Sequence, residues 1–149
     1  MKIEFALADD LPALADLLAE LFALEADFHP DREKQLAGLK LILDTPELGR
    51  LFVLRVDGKT AGMANALITI STAEGGRVLL LEDVVLHRAY RGRGLGRKLI
   101  DHVLAWAAGE GMTRVTLLAD RDNTEALNFY AHLDFQRSAM IVLRKPLSG

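Results

Sequence analysis

Apolar and polar positions along the chain follow two different periods, which predict a succession of strands and helices. Short runs rich in apolar and β-branched residues predict strands at 2–8, 51–56, 61–70, 77–86, 115–119 and 138–143. Apolar residues at helical spacing predict four helices. The first begins at Asp9 or Asp10 and ends at about 28–30, and the others lie at about 31–43, 95–109 and 123–133. This order is typical of a mixed α/β sheet with helices on both faces.

Turn and capping residues support these boundaries. Asp57-Gly58 lies between two predicted strands and is a strong hairpin signal. Thr45-Pro46 is expected to end the second helix, because the residue before a proline disfavours the helical conformation. Asp9 or Asp10 is expected to cap the first helix, and Asp122 or Asn123 the last.

The stretch 79–98 is the part of the chain on which the rest is organised. It begins as an apolar strand that reads as buried on both faces, then passes through Arg91-Gly92-Arg93-Gly94-Leu95-Gly96 into a helix. Glycines let backbone N–H groups turn toward a bound group, and a helix N-terminus attracts anions. With Arg97 adding a further cation, the loop predicts a phosphate or pyrophosphate site. The alternative is a glycine-rich connection with solvated arginines.

Two common phosphate-binding motifs do not fit this loop. The dinucleotide motif needs G-x-G-x-x-G, whereas Gly92, Gly94 and Gly96 fall as G-x-G-x-G. The nucleoside-triphosphate motif needs a hydroxyl side chain where this chain has Leu99.

Composition narrows the class of protein further. A chain of 149 residues, half of them apolar, has the size of one ordinary domain, so 1–149 is expected to be a single domain. The net charge of −3 argues against general binding to nucleic acid or to an anionic membrane. There is no cysteine, no signal-peptide pattern and no apolar run of the roughly 20 residues that span a bilayer, so a cytoplasmic protein is expected. The histidines have no metal-ligand spacing, and no metal is expected.

Three ordered blocks resemble the GNAT superfamily of N-acetyltransferases. They are Leu81-Glu82-Asp83-Val84-Val85-Leu86, the R-x-x-G-x-G loop from Arg91 to Gly96, and N-x-x-A-x-x-F-Y from Asn123 to Tyr130. The last block leads to Leu133-Asp134-Phe135, where the family usually has L-G-F, and aspartate tolerates the left-handed conformation that glycine would supply. The resemblance implies the GNAT fold, with a mixed, mostly antiparallel central sheet, a splayed strand and helices on both faces.

The resemblance also implies acetyl-CoA as co-substrate. Its pyrophosphate would lie on the loop and its pantetheine arm would pair with the splayed strand. The residues expected to contact it are Val84, Val85, Leu86, Arg91, Gly92, Arg93, Gly94, Leu95, Gly96, Arg97 and Asn123. Val84, Val85 and Leu86 could instead serve only core packing, and Asn123 could instead serve only as a helix cap. In each case the residue could also have both roles.

Catalytic roles follow from the same resemblance and from the placement of acids. Glu82 and Asp83 interrupt an apolar run and, as strand neighbours, are expected to point to opposite faces. Glu82 is interpreted as the general base, acting directly or through water, and Asp83 as a substrate-binding acid; a structural ion pair or exposure at a splayed edge is the alternative. Tyr130 matches the position whose phenol protonates the departing thiolate, although it could instead be a core residue on its helix face.

The expected acceptor is a primary amine of a small molecule. The stretch around Glu82-Asp83 looks much like the spermidine/spermine acetyltransferases, and Glu25 falls where those enzymes use an acid. The alternatives are a non-catalytic acyl-CoA-binding module, a nucleotide-binding module, and an acetyltransferase for a protein N-terminus or lysine. The resemblance allows a homodimer, which the sequence does not establish.

Overall fold

The computed structural model describes residues 1–24 and 30–148, and the chain divides into two compact units, 1–118 and 119–149. The described strands of the first unit are β1 (Lys2–Phe5), β2 (Gly49–Val56), β3 (Lys59–Ser71), β4 (Gly76–Leu86) and β5 (Val115–Leu117). They form a five-stranded sheet in the order β1-β2-β3-β4-β5. Neighbouring strands are antiparallel except for β4 and β5, which are parallel. The predicted mixed, mostly antiparallel sheet is confirmed.

Helices cover both faces of this sheet, as predicted. They are α1 (Leu11–Leu24), α2 (Arg32–Leu43) and α3 (Leu95–Gly109), with short 3-10 turns at Ala8–Asp10 and Arg88–Tyr90. On one face, α1 and α2 share a core with alternate strand residues such as Val53, Met63 and Val85. On the other face, Phe52 packs edge-on against Trp106 of α3 at a ring distance of 5.3 Å. Within the described ranges, no helix is both long enough and apolar enough to span a membrane.

Local sequence signals account for the element ends on which the site depends. The carboxylate of Asp31 accepts the N–H of Lys34 at 3.2 Å and caps α2. The hydroxyl of Thr45 donates to the last-turn carbonyl of Leu41 at 2.7 Å. Asp57-Gly58 has φ values of 53° and 76°, both in the left-handed region that the tightest hairpin turns require. The hairpin between β2 and β3 is therefore confirmed.

Asp10 plays a different part from the helix cap that the sequence predicts. Its carboxylate accepts the N–H of Leu7 at 2.7 Å and forms two bonds with the Arg55 guanidinium, of 2.8 and 2.9 Å. These bonds hold the pKa of Asp10 below its ordinary value. They also tie the start of α1 to β2, and the turn they support ends β1 at Phe5, before the predicted end of that strand.

The second unit contains one helix, α4 (Thr124–His132), among its described residues. The side-chain oxygen of Asn123 accepts the N–H of Ala126 at 3.1 Å, so the predicted N-cap is confirmed. Asp134 has a φ of 68°, the left-handed conformation expected at the glycine position of the family block. The predicted strand at 138–143 is not found. An extended segment forms a strand only where its backbone pairs with a neighbour, and the described part of this unit offers none.

Candidate functional site

A β-bulge in β4 lies at the centre of the candidate site. Asn65 of β3 pairs with Glu82, and Met63 pairs with Val85, so β4 has one more residue between these pairs than β3 has. Asp83, within the bulge, has a φ of 50°. Aspartate is one of the few residues that adopt this left-handed conformation at modest cost.

The bulge changes the direction of the two acids. Asn65 and Met63 lie on the sheet face that packs against α1 and α2, and directly paired residues of an antiparallel sheet share a face. Glu82 therefore lies on this face. The Nδ2 of Asn65 also donates to Oδ2 of Asp83 at 3.0 Å, which draws Asp83 toward the same side. The prediction that the two acids point to opposite faces is wrong, because the bulge interrupts the alternation of side chains.

Asp83 lines a pocket of about 520 Å³ between α1, α2 and the sheet. The apolar part of its described wall includes Leu18, Phe22 and Leu39, and the polar part includes Gln35 and Asn65. Burial raises the pKa of Asp83, and the hydrogen bond from Asn65 opposes this shift. A buried carboxyl whose donor is a neutral amide can bind a cation strongly.

Two polar residues of this pocket were not singled out from the sequence. Gln35 is 7% exposed and Asn65 is 4% exposed. Both side-chain polar atoms of Gln35, and Oδ1 of Asn65, have no hydrogen-bond partner in the described structure. The signal was present in the sequence, since Asn65 interrupts an apolar strand and Gln35 lies four positions before the core residue Leu39 on its helix.

The glycine loop has the backbone geometry expected for an anion site. Gly92 and Gly94 have φ values of 78° and 73°, and Gly94 is the residue that caps α3. The N–H groups in the first turn of α3 have no acceptor within the helix, and the positive end of its dipole lies there. Arg91 is anchored because its Nε donates to the carbonyl of Leu86 at 3.0 Å, while Arg93 and Arg97 are exposed. These groups fit a pyrophosphate.

The strand β4 extends beyond its parallel neighbour. β5 pairs with Leu79 to Leu81 only, and within residues 1–24 and 30–118 no strand pairs with 82–86 on that side. This agrees with the expected splayed strand. Val85 is 5% exposed and belongs to the hydrophobic core. This agrees with the interpretation that the segment contributes to core packing. A role of Val84, Val85 and Leu86 toward acetyl-CoA stays a prediction.

Tyr130 lies on α4, in the second unit. Its ring is 5.2 Å from that of Phe129 and 5.7 Å from that of Phe135, both edge-on. Burial raises the pKa of Tyr130 to about 12. The phenol therefore keeps its proton at neutral pH, as a general acid must.

The predicted substrate-binding residue Glu25 falls within 25–29, outside the described residues. Among the described residues, no group of three or more histidine, aspartate or glutamate side chains could hold a metal ion.

The sequence matches a family model that agrees with the fold and with the glycine loop. Residues 11–135 match the model of the acetyltransferase (GNAT) family. The chain therefore belongs to this family. An aminoglycoside N-acetyltransferase solved in complex with CoA has the same fold, with a TM-score of 0.82 at 20% identity over 99% of this chain and 95% of that one.

Two relatives indicate the range of the family that the chain resembles. The N-alpha-acetyltransferase 80 of Mus musculus is 43% identical over 71 residues, which is 48% of this chain and 19% of that protein. An aminoglycoside N(6')-acetyltransferase type 1 of Salmonella typhimurium is 26% identical over 117 residues, 76% of this chain and 79% of that protein. The chain covers less than two thirds of some relatives, such as the mouse protein and an N-acetyltransferase of Methanocaldococcus jannaschii, of which it covers 40%.

The buried carboxyl of Asp83 predicts a pH-dependent effect of Asp83→Asn. Because the pKa is raised in the folded state, the wild-type protein loses stability as pH rises from below the ordinary aspartate pKa to above the raised one. The asparagine variant has no such loss, so its advantage in unfolding free energy should grow over this pH range and then level off. Urea unfolding at a series of pH values measures this difference.

Asp57→Asn is the matched control, because Asp57 is also left-handed but lies in an exposed turn. The pH dependence of Asp83→Asn is therefore measured relative to that of Asp57→Asn. Identical pH profiles for the two variants would contradict the buried, desolvated carboxyl of Asp83.

Proposed function

We propose that this protein transfers an acetyl group from acetyl-CoA to a primary amine of a small molecule. The observation that carries the proposal is the continuity of one segment, in which β4 supplies the Asp83 carboxyl to the pocket and leads directly into the Gly92 to Arg97 loop. The Asp83 end of this segment suits a cation, such as the ammonium group of an amine acceptor. The loop end suits an anion, such as the pyrophosphate of the acetyl donor.

Acetyl-CoA, when bound, would supply an activated thioester. The proposed contacts for it are the backbone N–H groups of Gly92 to Arg97, with Arg91, Arg93 and Arg97 as counter-charges. Asn123 is proposed as a further contact, although its side-chain oxygen already caps α4. The backbone of Val84 to Leu86, on the side where β5 does not pair with β4, would pair with the pantetheine arm.

The chain's own proton transfers are assigned to two residues. Glu82 would take the proton from the acceptor's ammonium or amine nitrogen, directly or through a water molecule. Tyr130 would give its phenolic proton to the sulfur as the C–S bond breaks, and its raised pKa keeps that proton available. The amine nitrogen would form a bond to the thioester carbon, and the CoA thiol would leave. After the products leave, Glu82 would release its proton to solvent and Tyr130 would take one up.

The acceptor is proposed to be a small cationic amine. The Asp83 carboxyl in a partly apolar pocket supports this choice, as does the name of one relative, an aminoglycoside N(6')-acetyltransferase, which denotes a small amine as acceptor. Glu25 is proposed as a second acid for the far ammonium group of a diamine. The alternative is a peptide N-terminus, because the mouse relative is an N-alpha-acetyltransferase.

An acetyl-CoA consumption assay over a panel of acceptors tests the activity and the substrate class. Diamines, aminoglycosides and amino-acid amides should give higher kcat/KM than peptides with a free N-terminus. In Asp83→Asn the acceptor KM should rise several-fold, because the cation loses its partner. Turnover of peptides alone would overturn the small-molecule proposal, and no turnover of any amine would overturn the transferase proposal.

The loop is tested by Gly94→Val with Gly75→Val as its matched control. Both glycines are exposed, left-handed at φ values of 73° and 77°, and without any atom within 4 Å of an added Cβ. Both variants should therefore lose about 1–2 kcal/mol of stability through backbone strain. Only Gly94→Val should weaken acetyl-CoA binding, by roughly tenfold or more, in isothermal titration calorimetry. Equal affinities in both variants would exclude this loop as the pyrophosphate site.

Tyr130→Phe should lower turnover roughly 10- to 1000-fold while leaving acetyl-CoA affinity unchanged, because it removes the acid and keeps the ring contacts. Tyr90→Phe removes the chain's other phenol and should leave turnover close to wild type. In the wild type, a phenol with a pKa of about 12 stays protonated at every pH below about 10. Loss of its proton should therefore not lower kcat in that range. Wild-type turnover in Tyr130→Phe would make this residue a packing residue only.

A further inference from the structure

The pocket contains buried polar atoms that have no hydrogen-bond partner among the described residues. They are Nε2 and Oε1 of Gln35 and Oδ1 of Asn65, all buried and without a hydrogen-bond partner in the described structure. Most buried polar groups in native proteins have a partner. Leaving such groups unpaired is unfavourable, so each of them needs an explanation, and a functional role is one.

The positions of these atoms give a pattern of required partners. Gln35 belongs to α2 and Asn65 to β3, and both line the same pocket as the Asp83 carboxyl. The two unpaired oxygens need donors, and Nε2 needs an acceptor. An ammonium group can supply donors only, so an amine by itself leaves Nε2 of Gln35 unpaired. The pattern is completed by a group that both donates and accepts, such as a hydroxyl or a carboxamide.

We propose that Gln35 and Asn65 form a hydrogen-bonding subsite that recognises a hydroxyl or carboxamide group carried by the amine acceptor. The inference rests on the proposed function, because it refines the acceptor of that reaction. Asp83 attracts the cationic part of the acceptor, and the subsite reads the neutral polar group attached to it. The preferred acceptor is therefore a hydroxylated or amide-bearing amine and not a plain polyamine.

The environment of the subsite makes the selection effective. Leu18, Phe22 and Leu39 supply apolar wall around the polar atoms. A polar site next to apolar walls disfavours a ligand that lacks the matching group, because binding would then leave the polar atoms unpaired.

Pairs of acceptors that differ by one polar group provide the test. Ethanolamine should exceed ethylamine, or lysinamide should exceed cadaverine, in kcat/KM by roughly tenfold or more. A preference within the first pair identifies a hydroxyl, and a preference within the second identifies a carboxamide. Equal use of both members in both pairs overturns the inference and leaves the acetyltransferase activity standing.

Gln35→Met supplies a readout that does not depend on turnover. Methionine has a similar shape and no unpaired polar atom, so the free variant should unfold at a temperature roughly 2–4 °C higher than wild type. It should also lose the discrimination within the acceptor pairs. Gln136→Met changes the chain's other, exposed glutamine and should alter neither property. A lower unfolding temperature for Gln35→Met would show that the carboxamide is structural and would overturn the inference.

Acceptor binding measured without acetyl-CoA separates the two proposals. If the polar member of a pair raises the unfolding temperature of wild type but not of Gln35→Met, the subsite is supported even when no acetyl transfer is detected. If acetyl transfer is detected and neither polar member binds better than its partner in this assay or in kcat/KM, the subsite is excluded and the transferase stands.

Discussion

The extra residue in β4 is the constraint on which the candidate site depends. Without it, the strand would keep strict alternation, and Val85 could not lie on the same sheet face as Glu82. With it, the core contact of Val85 and Met63 is retained while two successive acids turn toward α1 and α2. The cost is a left-handed aspartate, which this residue type tolerates. The bulge thus lets a strand that packs in the core also present the Asp83 carboxyl to a pocket.

The features that the sequence predicted are those set by short-range chemistry. The Asp57-Gly58 turn, the Asn123 cap and the left-handed Asp134 each depend on a few neighbouring residues, so their signals are complete in the local sequence. The bulge could not be predicted in this way, because one inserted residue is recognised only from the register with β3. The role of Asp10 was missed for the same reason, since its partner Arg55 is 45 positions away.

The pocket residues also divide into those that the sequence predicts and those that it does not. Its charged residue, Asp83, was found because an acid within an apolar run is conspicuous. Its neutral residues were not, because a glutamine on a helix usually faces solvent and only the packing of α2 shows that Gln35 is buried. The helix carries charged neighbours on both sides of Gln35, such as Glu33 and Lys40, so its weak amphipathic pattern hides the buried position. Sequence reasoning therefore located the charge of the site and not the hydrogen-bonding groups that would confer selectivity.

The organisation of the segment from β4 to α3 also explains how one short stretch could serve two ligands of opposite charge. Asp83 and Arg91 are eight positions apart, yet the first lies in a partly apolar pocket and the second on an exposed loop. Solvent screens the exposed arginines strongly, while the buried carboxyl is screened little, so the two fields do not cancel. The net charge of −3 is too small to attract either ligand over a long distance. Under the proposed function, selection would therefore occur within the site itself. The loop would recognise phosphate oxygens through fixed backbone groups, and the pocket would recognise the acceptor through desolvated polar atoms.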